Sequence, residues 1–249
     1  MGSKGGKSHL KRLAAPGFWP IHRKEKVWTV KSSPGPHPAD ESIPLLIVVR
    51  DILGLAKTSK EAGIIISEGK IKVDGRVRRD RRFPVGLMDV VEVLGLNRFF
   101  RVVPSTHRFL AFQPIDEKEK TFKLCRIENK TTVKNRKIQL NLHDGRNILL
   151  NPEEASGDGY KVLDVLKISL PDNNITEHLR FKEGMYAIII GGKNIGKHGK
   201  IVEIEKTPYK KRNLKTVKIV GKDGVEYSTI PDYVFVVGED SPIITLPGG

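Results

Sequence analysis

Leu55-Ala-Lys-Thr-Ser-Lys-Glu-Ala-Gly-Ile-Ile-Ile-Ser-Glu-Gly-Lys-Ile-Lys-Val-Asp-Gly-Arg-Val-Arg-Arg79, closing on Gly86-Leu-Met-Asp-Val-Val-Glu-Val93, decides the fold. Thr58-Ser-Lys-Glu61 fits a capping box, in which the Thr58 hydroxyl accepts from the Glu61 amide and the Glu61 carboxylate reaches back. A helix follows with Ala62, Ile65 and Ile66 inward, and Gly69 ends it as the left-handed cap residue. Lys70 to Val73 alternates polar and apolar, so it reads as a strand. Asp74-Gly75 is a two-residue hairpin turn. Leu87 to Leu94 supplies a further strand.

Upstream, Pro44 to Lys57 predicts a helix. Leu45, Leu46, Val48, Val49, Ile52, Leu53 and Ala56 fall on one stripe, and Pro44 suits the first helical position. Before it, residues 1–42 read as a basic arm. Eight cations there face three acids, among five prolines and five glycines. His9 to Ala15 can make two helical turns, stopped by Pro16. Trp19 and Trp28 can stack or bury, and the arm is expected to be extended, ordering on its partner. Downstream, short strands are expected at Phe99–Val103, Arg108–Phe112, Thr121–Ile127, Lys137–Leu142 and Asn147–Leu150, with Asp144-Gly145 as a hairpin turn. Pro171 to Asn174 reads as a linker. Five further strands, Met185–Ile190, Lys200–Lys206, Leu214–Val220, Val225–Ile230 and Tyr233–Val237, predict a small barrel.

The expected fold class is α+β and multidomain. Its parts are a basic amino-terminal arm (1–42), a small helix–helix–hairpin module (43–95), a small all-β domain (96–172) and a carboxy-terminal barrel (173–249).

Composition narrows the partner. The 249 residues carry a formal net charge of +15, and the pI is near 9.8. Such a chain favours a polyanion, because phosphate contacts release counterions. No run of about 18 apolar residues is present, so no spanning helix and no membrane partner is expected. Cys125 is the single cysteine, which leaves no internal disulfide or cysteine zinc site and fits an intracellular chain.

The cations converge on the deciding stretch. Lys57 and Lys60 flank a helix start, whose free amides favour phosphate. Lys70 and Lys72 follow the cap glycine. Arg76, Arg78, Arg79, Arg81 and Arg82 lie beyond the turn and can fork onto phosphates. Arg50 and Ser59 complete this expected RNA-binding set. In the arm the expected contacts are Lys4, Lys7, Lys11, Arg12, Arg23, Lys24 and Lys26.

Gly191-Gly-Lys-Asn-Ile-Gly-Lys-His198 is one residue from a phosphate-cradling nucleotide loop, with His198 in place of the magnesium-binding hydroxyl. The segment after it alternates like a strand, where a nucleotide loop needs a helix. Lys193, Asn194, Lys197, His198 and Lys200 are the expected RNA contacts of this loop. Lys210, Lys211 and Arg212 form a basic cluster that surface solubility explains almost as well as RNA contact. The seven histidines show no zinc spacing and no Gly-x-Ser-x-Gly elbow exists. No enzyme, metal, cofactor or small-molecule substrate is expected.

On these residues the chain resembles known families. Residues 43–94 resemble the S-four RNA-binding module through Leu55, Ser59, Ala62, Gly69, Ile71, Val73, Asp74-Gly75 and Asp89–Val93. Gly63 departs from that pattern, where a longer side chain is usual. Glu183 to Glu205 resembles a KOW motif, with Gly196 as its central glycine, and implies an SH3-like barrel. The opening His9-Leu-Lys-Arg-Leu-Ala-Ala-Pro16, with Trp19-Pro20-Ile21 and Arg23-Lys24, makes the whole chain similar to the archaeal and eukaryotic small-subunit ribosomal protein S-four-e family.

What the resemblance implies is a non-enzymatic structural constituent of the cytoplasmic ribosome. It would bind small-subunit ribosomal RNA, support its folding and assembly for translation, and lie beside other small-subunit ribosomal proteins. Rival readings are an RNA-modifying enzyme that grips its substrate with the S-four module, and a KOW-type transcription elongation factor.

Overall fold

The computed structural model describes residues 8–106, 109–151, 159–205, 216–221 and 224–247. The arm is not a free tail. Its short strands β1 (Leu10–Lys11) and β2 (Trp28–Thr29) pair antiparallel. Ala15 and Trp19 are buried in the same core as the helices, and the Trp19 indole N–H donates to the Ser42 carbonyl at 2.8 Å. The expectation of an extended arm is corrected for residues 8–42: its prolines set the path, and its aromatic and apolar residues supply an anchor. The two helical turns expected from His9 are a strand followed by one 3-10 turn, Arg12–Ala14.

Strand β3 (Ile43–Pro44) leads into helix α1 (Leu45–Ile47), which widens into a π-helical turn over Val48–Ile52. The Leu45 and Leu46 amides, which lack helical partners, donate to the carbonyls of Phe83 and Arg81. The helix stops at Leu53, short of the expected Lys57. Gly54 adopts φ +63° and turns the chain, and Thr58 must be extended to cap helix α2 (Ser59–Ser67). The expected capping box is present. At the far end Gly69 sits at φ +78°, with Gly69 N–H donating to the Ile66 carbonyl and Lys70 N–H to that of Ile65, a Schellman closure.

Strands β4 (Ile71–Val73) and β5 (Arg76–Val77) flank the turn, where Asp74 (φ 51°) and Gly75 (φ 72°) are both left-handed, as a primed turn requires. After β6 (Pro84–Val85), β7 (Val90–Val93), β8 (Arg98–Pro104) and β9 (Leu110–Pro114) complete a sheet of order β5-β4-β7-β8-β9. The strands expected to open the all-β domain therefore extend the sheet of the helical module.

The second sheet is built from β10 (Phe122–Thr132), β11 (Ile138–Leu142), β12 (Asn147–Leu150), β13 (Val165–Ser169) and β14 (Ile175–Leu179), ordered β12-β11-β10-β13-β14. The segment expected as a linker at 171–174 is the β13–β14 hairpin turn, with Asn173 left-handed at φ 65°. Turn residues serve hairpins and linkers alike.

The third sheet contains β15 (Tyr186–Ile189), β16 (His198–Glu205), β17 (Thr216–Gly221), β18 (Glu226–Thr229) and β19 (Val234–Gly238), ordered β18-β17-β16-β15-β19. Its core is shared: Met88 from the first sheet's 86–89 loop and Leu124, Val165 and Leu179 from the second pack with Ala187, Ile188, Phe235 and Val236.

Candidate nucleic-acid interface

The arm's arginines hold the arm together. Arg12 is buried, and its guanidinium donates to the carbonyls of His22 at 2.6 Å and Trp28 at 3.3 Å and pairs with Glu25 at 3.2 Å. Arg23 donates to the carbonyls of Arg12, Ala15 and Pro16, closing the 3-10 turn. Lys11, Lys24 and Lys26 are exposed. Lys4 and Lys7 lie outside the described residues.

Where the arm crosses the start of α2 it forms a groove of about 360 Å³. Arg12, His22 and Lys26 come from the arm, Arg50 from the first helix, and Lys57, Thr58 and Ser59 from the cap. Arg50 is held by both oxygens of Asp51 and by the Ser59 hydroxyl. Lys57 and Lys60 are exposed and, among the described residues, form no ion pair. Glu61 accepts from the backbone amides of Lys57 and Thr58, which lowers its pKa; two of the amides nearest the helix start are thus already satisfied.

The arginine run divides in two. Arg76, Arg79 and Arg81 are exposed. Arg79 also lies against Gly69, where a Cβ would sit 3.4 Å from its Nε. Arg78 instead stacks on the Phe83 ring at 4.3 Å, and burial pulls its pKa down. Arg82 donates to the Lys31 carbonyl at 3.1 Å. Lys70 pairs with Glu68 and, at 4.0 Å, Lys72 with Glu92.

In the Gly191–Gly199 loop Lys193 and Lys197 are exposed, with the Lys197 ammonium 5.8 Å from the Tyr227 ring. Asn194 donates to the Ser228 carbonyl at 3.4 Å. His198 Nδ1 bonds the Tyr186 hydroxyl at 2.7 Å, and Lys200 pairs with Asp240 at 2.7 Å. Gly196, at φ +80°, lies against the chain itself: a Cβ there would be 2.5 Å from the Thr106 amide nitrogen and 2.7 Å from the Ser105 carbonyl carbon. The close approach that demands glycine is intramolecular. Lys210, Lys211 and Arg212 lie outside the described residues.

Sequence reading missed the charged centre of the molecule. Lys123 is 0% exposed, and its ammonium meets the carboxylates of Asp74 at 2.8 Å, Asp144 at 3.1 Å and Asp89. Arg146 reaches Asp74 and Asp144, and His37 of the arm bonds Asp89 at 2.9 Å. Burial opposes the Lys123 charge, but the three carboxylates outweigh it and hold its pKa well above the ordinary value. Asp89 and Asp144 are likewise desolvated, yet their cationic neighbours keep both well below the usual carboxylate range. The cluster joins the hairpin tip of the first sheet, the 86–89 loop, the arm and the second sheet. Arg126 ties the second sheet to the third through the Asp232 and Val234 carbonyls at 2.7 and 3.1 Å. The one sequence signal was the position of Lys123, which alternates with Cys125 and Ile127 on an inward face.

Among the described residues, no group of three His, Cys, Asp or Glu side chains is placed to hold a metal, and no helix is long and apolar enough to cross a membrane. The arrangement presents exposed cations on a braced frame, which suits binding to a polyanion.

Comparison with known proteins bears on that reading. The sequence matches the RS4NT (NUC023) domain over residues 4–40, the S4 domain over 43–91 and the family described as Ribosomal family S4e over 96–175. It is 53% identical over 252 residues to small ribosomal subunit protein eS4 of Desulfurococcus amylolyticus, covering 100% of this chain and 99% of that protein. It is 50% identical over 252 residues to the protein of the same name from Staphylothermus marinus, with the same coverage. In three dimensions it is similar to the crystal structure of the 30S ribosomal protein S4e from Thermoplasma acidophilum. The TM-score is 0.67 at 34% identity, covering 80% of this chain and 96% of that one.

Proposed function

The chain belongs to the ribosomal protein family S4e, and on that premise we propose that it grips small-subunit ribosomal RNA along the arm groove, the cations around α2 and the Gly191–Gly199 loop. As a family member it is a structural constituent of the small ribosomal subunit in the cytoplasm, not an enzyme. Neither the RNA-modifying enzyme nor the elongation factor is retained.

The observation that carries the proposed interface is the groove at the start of α2. There Lys26 of the arm and Lys57 of the helical module, distant in sequence, line one concavity. Exposed lysines and arginines without ion pairs serve phosphates, while Arg12, Arg23, Arg78 and Arg82 brace the surface. The Gly191–Gly199 hairpin is proposed to be a KOW loop on an SH3-like barrel, supported by the five-stranded order of the third sheet and by Gly196 in a left-handed conformation. The division at 42, 95 and 172 is proposed to mark units of RNA contact and not separately folded units, since the hydrogen-bonded sheets run across 95 and 172. Lys4, Lys7, Lys210, Lys211 and Arg212 complete the proposed contacts.

Titrating the full chain against small-subunit ribosomal RNA at several salt concentrations tests this. Expected is a linear fall of log K against log salt, with each phosphate contact adding roughly 0.7 to 0.9 to the slope. Retention on small subunits through a high-salt wash is the companion measurement. Salt-independent binding, or complete loss from washed subunits, would overturn the proposal.

A further inference from the structure

The two tryptophans have opposite fates. Trp19 is 3% exposed and its indole is hydrogen-bonded inside the core. Trp28 is 56% exposed. Its carbonyl is held by Arg12 Nε, and Arg12 is itself fixed through His22 and Glu25, so the indole stands on a braced strand pair. The His9 ring lies 5.6 Å away at 53°. Lys11 is the residue directly opposite Trp28 in the ladder, which puts its side chain on the same face. The site also continues the groove: Arg12 lines it, and so does Lys26, two residues before Trp28.

From this geometry we infer that Trp28, with His9 and Lys11, is a stacking platform for one unpaired base of an RNA strand whose phosphates run in the arm groove. An exposed indole beside cations fits a nucleobase, because every base offers a π-face and its flanking phosphates need counter-charge. The cationic setting, with Lys11, Lys24 and Lys26 exposed along the arm, favours this over an apolar protein partner. The inference rests on the proposed ribosomal RNA contact and adds base recognition to it.

The test uses the full chain and small-subunit ribosomal RNA, comparing wild type, Trp28→Phe and Trp28→Ala. Trp19 emission is common to wild type and Trp28→Phe, so their difference isolates Trp28. RNA is expected to quench that difference signal. Trp28→Ala should lose about 5- to 150-fold in affinity with an unchanged salt slope, since stacking releases no counterions. Trp28→Phe should recover most of the loss, and Lys11→Ala should lower the slope. If RNA binds all three chains equally and the Trp28 signal does not move, the platform is refuted while the RNA-binding proposal stands. Shielding of Trp28 only in assembled subunits, with cross-links to protein there, would refute the platform as well. If wild type fails to bind the RNA at all, the underlying proposal fails first.

Discussion

Replacing Lys123 by Met keeps an unbranched side chain one heavy atom shorter and removes its charge. Three carboxylates surround that ammonium, with Arg146 as the other cation of the cluster and His37 hydrogen-bonded to Asp89. Removing one partner of a buried ion pair costs about 3–5 kcal/mol, because the remaining charge stays buried without compensation. Arg146 offsets part of this at Asp74 and Asp144, but one ammonium serves three acids here, so we expect a loss of about 4–5 kcal/mol. In a chain of this size that corresponds to a fall in Tm of about 10–15 °C.

Thermal and urea unfolding at pH 7 measure it. Lys167→Met serves as control: its partially exposed pair with Glu177 should cost under about 1 kcal/mol. The pH dependence gives a second reading. In wild type, Asp89 and Asp144 have folded pKa values below their unfolded ones. Their stabilisation is therefore present above about pH 4 and lost only as pH falls further. Lys123, with its raised pKa, contributes below about pH 10 and is lost as pH rises through its folded value. Without Lys123 the carboxylates protonate more readily in the folded chain, so the gap between variant and wild type should narrow as pH falls from 7 towards 4. A loss under about 1 kcal/mol, or a gap that stays constant with pH, would refute the reasoning.

The exposed and braced arginines should separate experimentally. Arg79→Ala with Arg81→Ala should lower the RNA salt slope by roughly 1.4 to 1.8, whereas Arg78→Ala with Arg82→Ala should lower the unfolding temperature and leave the slope nearly unchanged. Gly196→Val should destabilise the protein by about 2–3 kcal/mol without any RNA present, through its left-handed backbone and the Ser105–Thr106 contact. Gly224→Ala, also left-handed but facing open space, should cost only about 1–2 kcal/mol; equal losses in calorimetry would contradict the contact. Burial pushes His143 down to a pKa of about 3. Its NMR shifts should stay those of a neutral ring above pH 5. Because an unfolded histidine binds its proton near pH 6.5, this group makes stability fall as pH drops below 6.5.

Local chemistry was legible in the sequence and distant pairing was not. The Thr58–Glu61 cap, the Gly69 closure and the Asp74-Gly75 turn each depend on residues within a few positions, and all appear as read. The arm misled because Pro and Gly describe a path without saying what it packs against; the anchor is Trp19 reaching Ser42. Strands β8 and β9 are legible in the sequence, but their pairing with the sheet of the helical module is not, since alternation fixes a face and not a neighbour. The arginine run was read as one surface, whereas Arg78 and Arg82 are engaged by Phe83 and Lys31. Nothing local marks Asp74, Asp89, Lys123 and Asp144 as partners, because the ladder that brings them together is itself the fold.

The shared core and the Lys123 cluster tie the three sheets to one another. A polymer whose binding patches are joined by flexible linkers can engage them one at a time, wherever the target happens to be. Here the distances from the arm to α2 and to the Gly191–Gly199 loop are preset. On the proposed interface, once one patch is engaged on ribosomal RNA, the others meet their partners as intramolecular events, and only if the RNA holds the matching spacing. On that interface the protein would work as a gauge: an RNA fold of the right dimensions would receive the combined affinity of all patches, and a misfolded one that of a single patch, which salt readily dissolves.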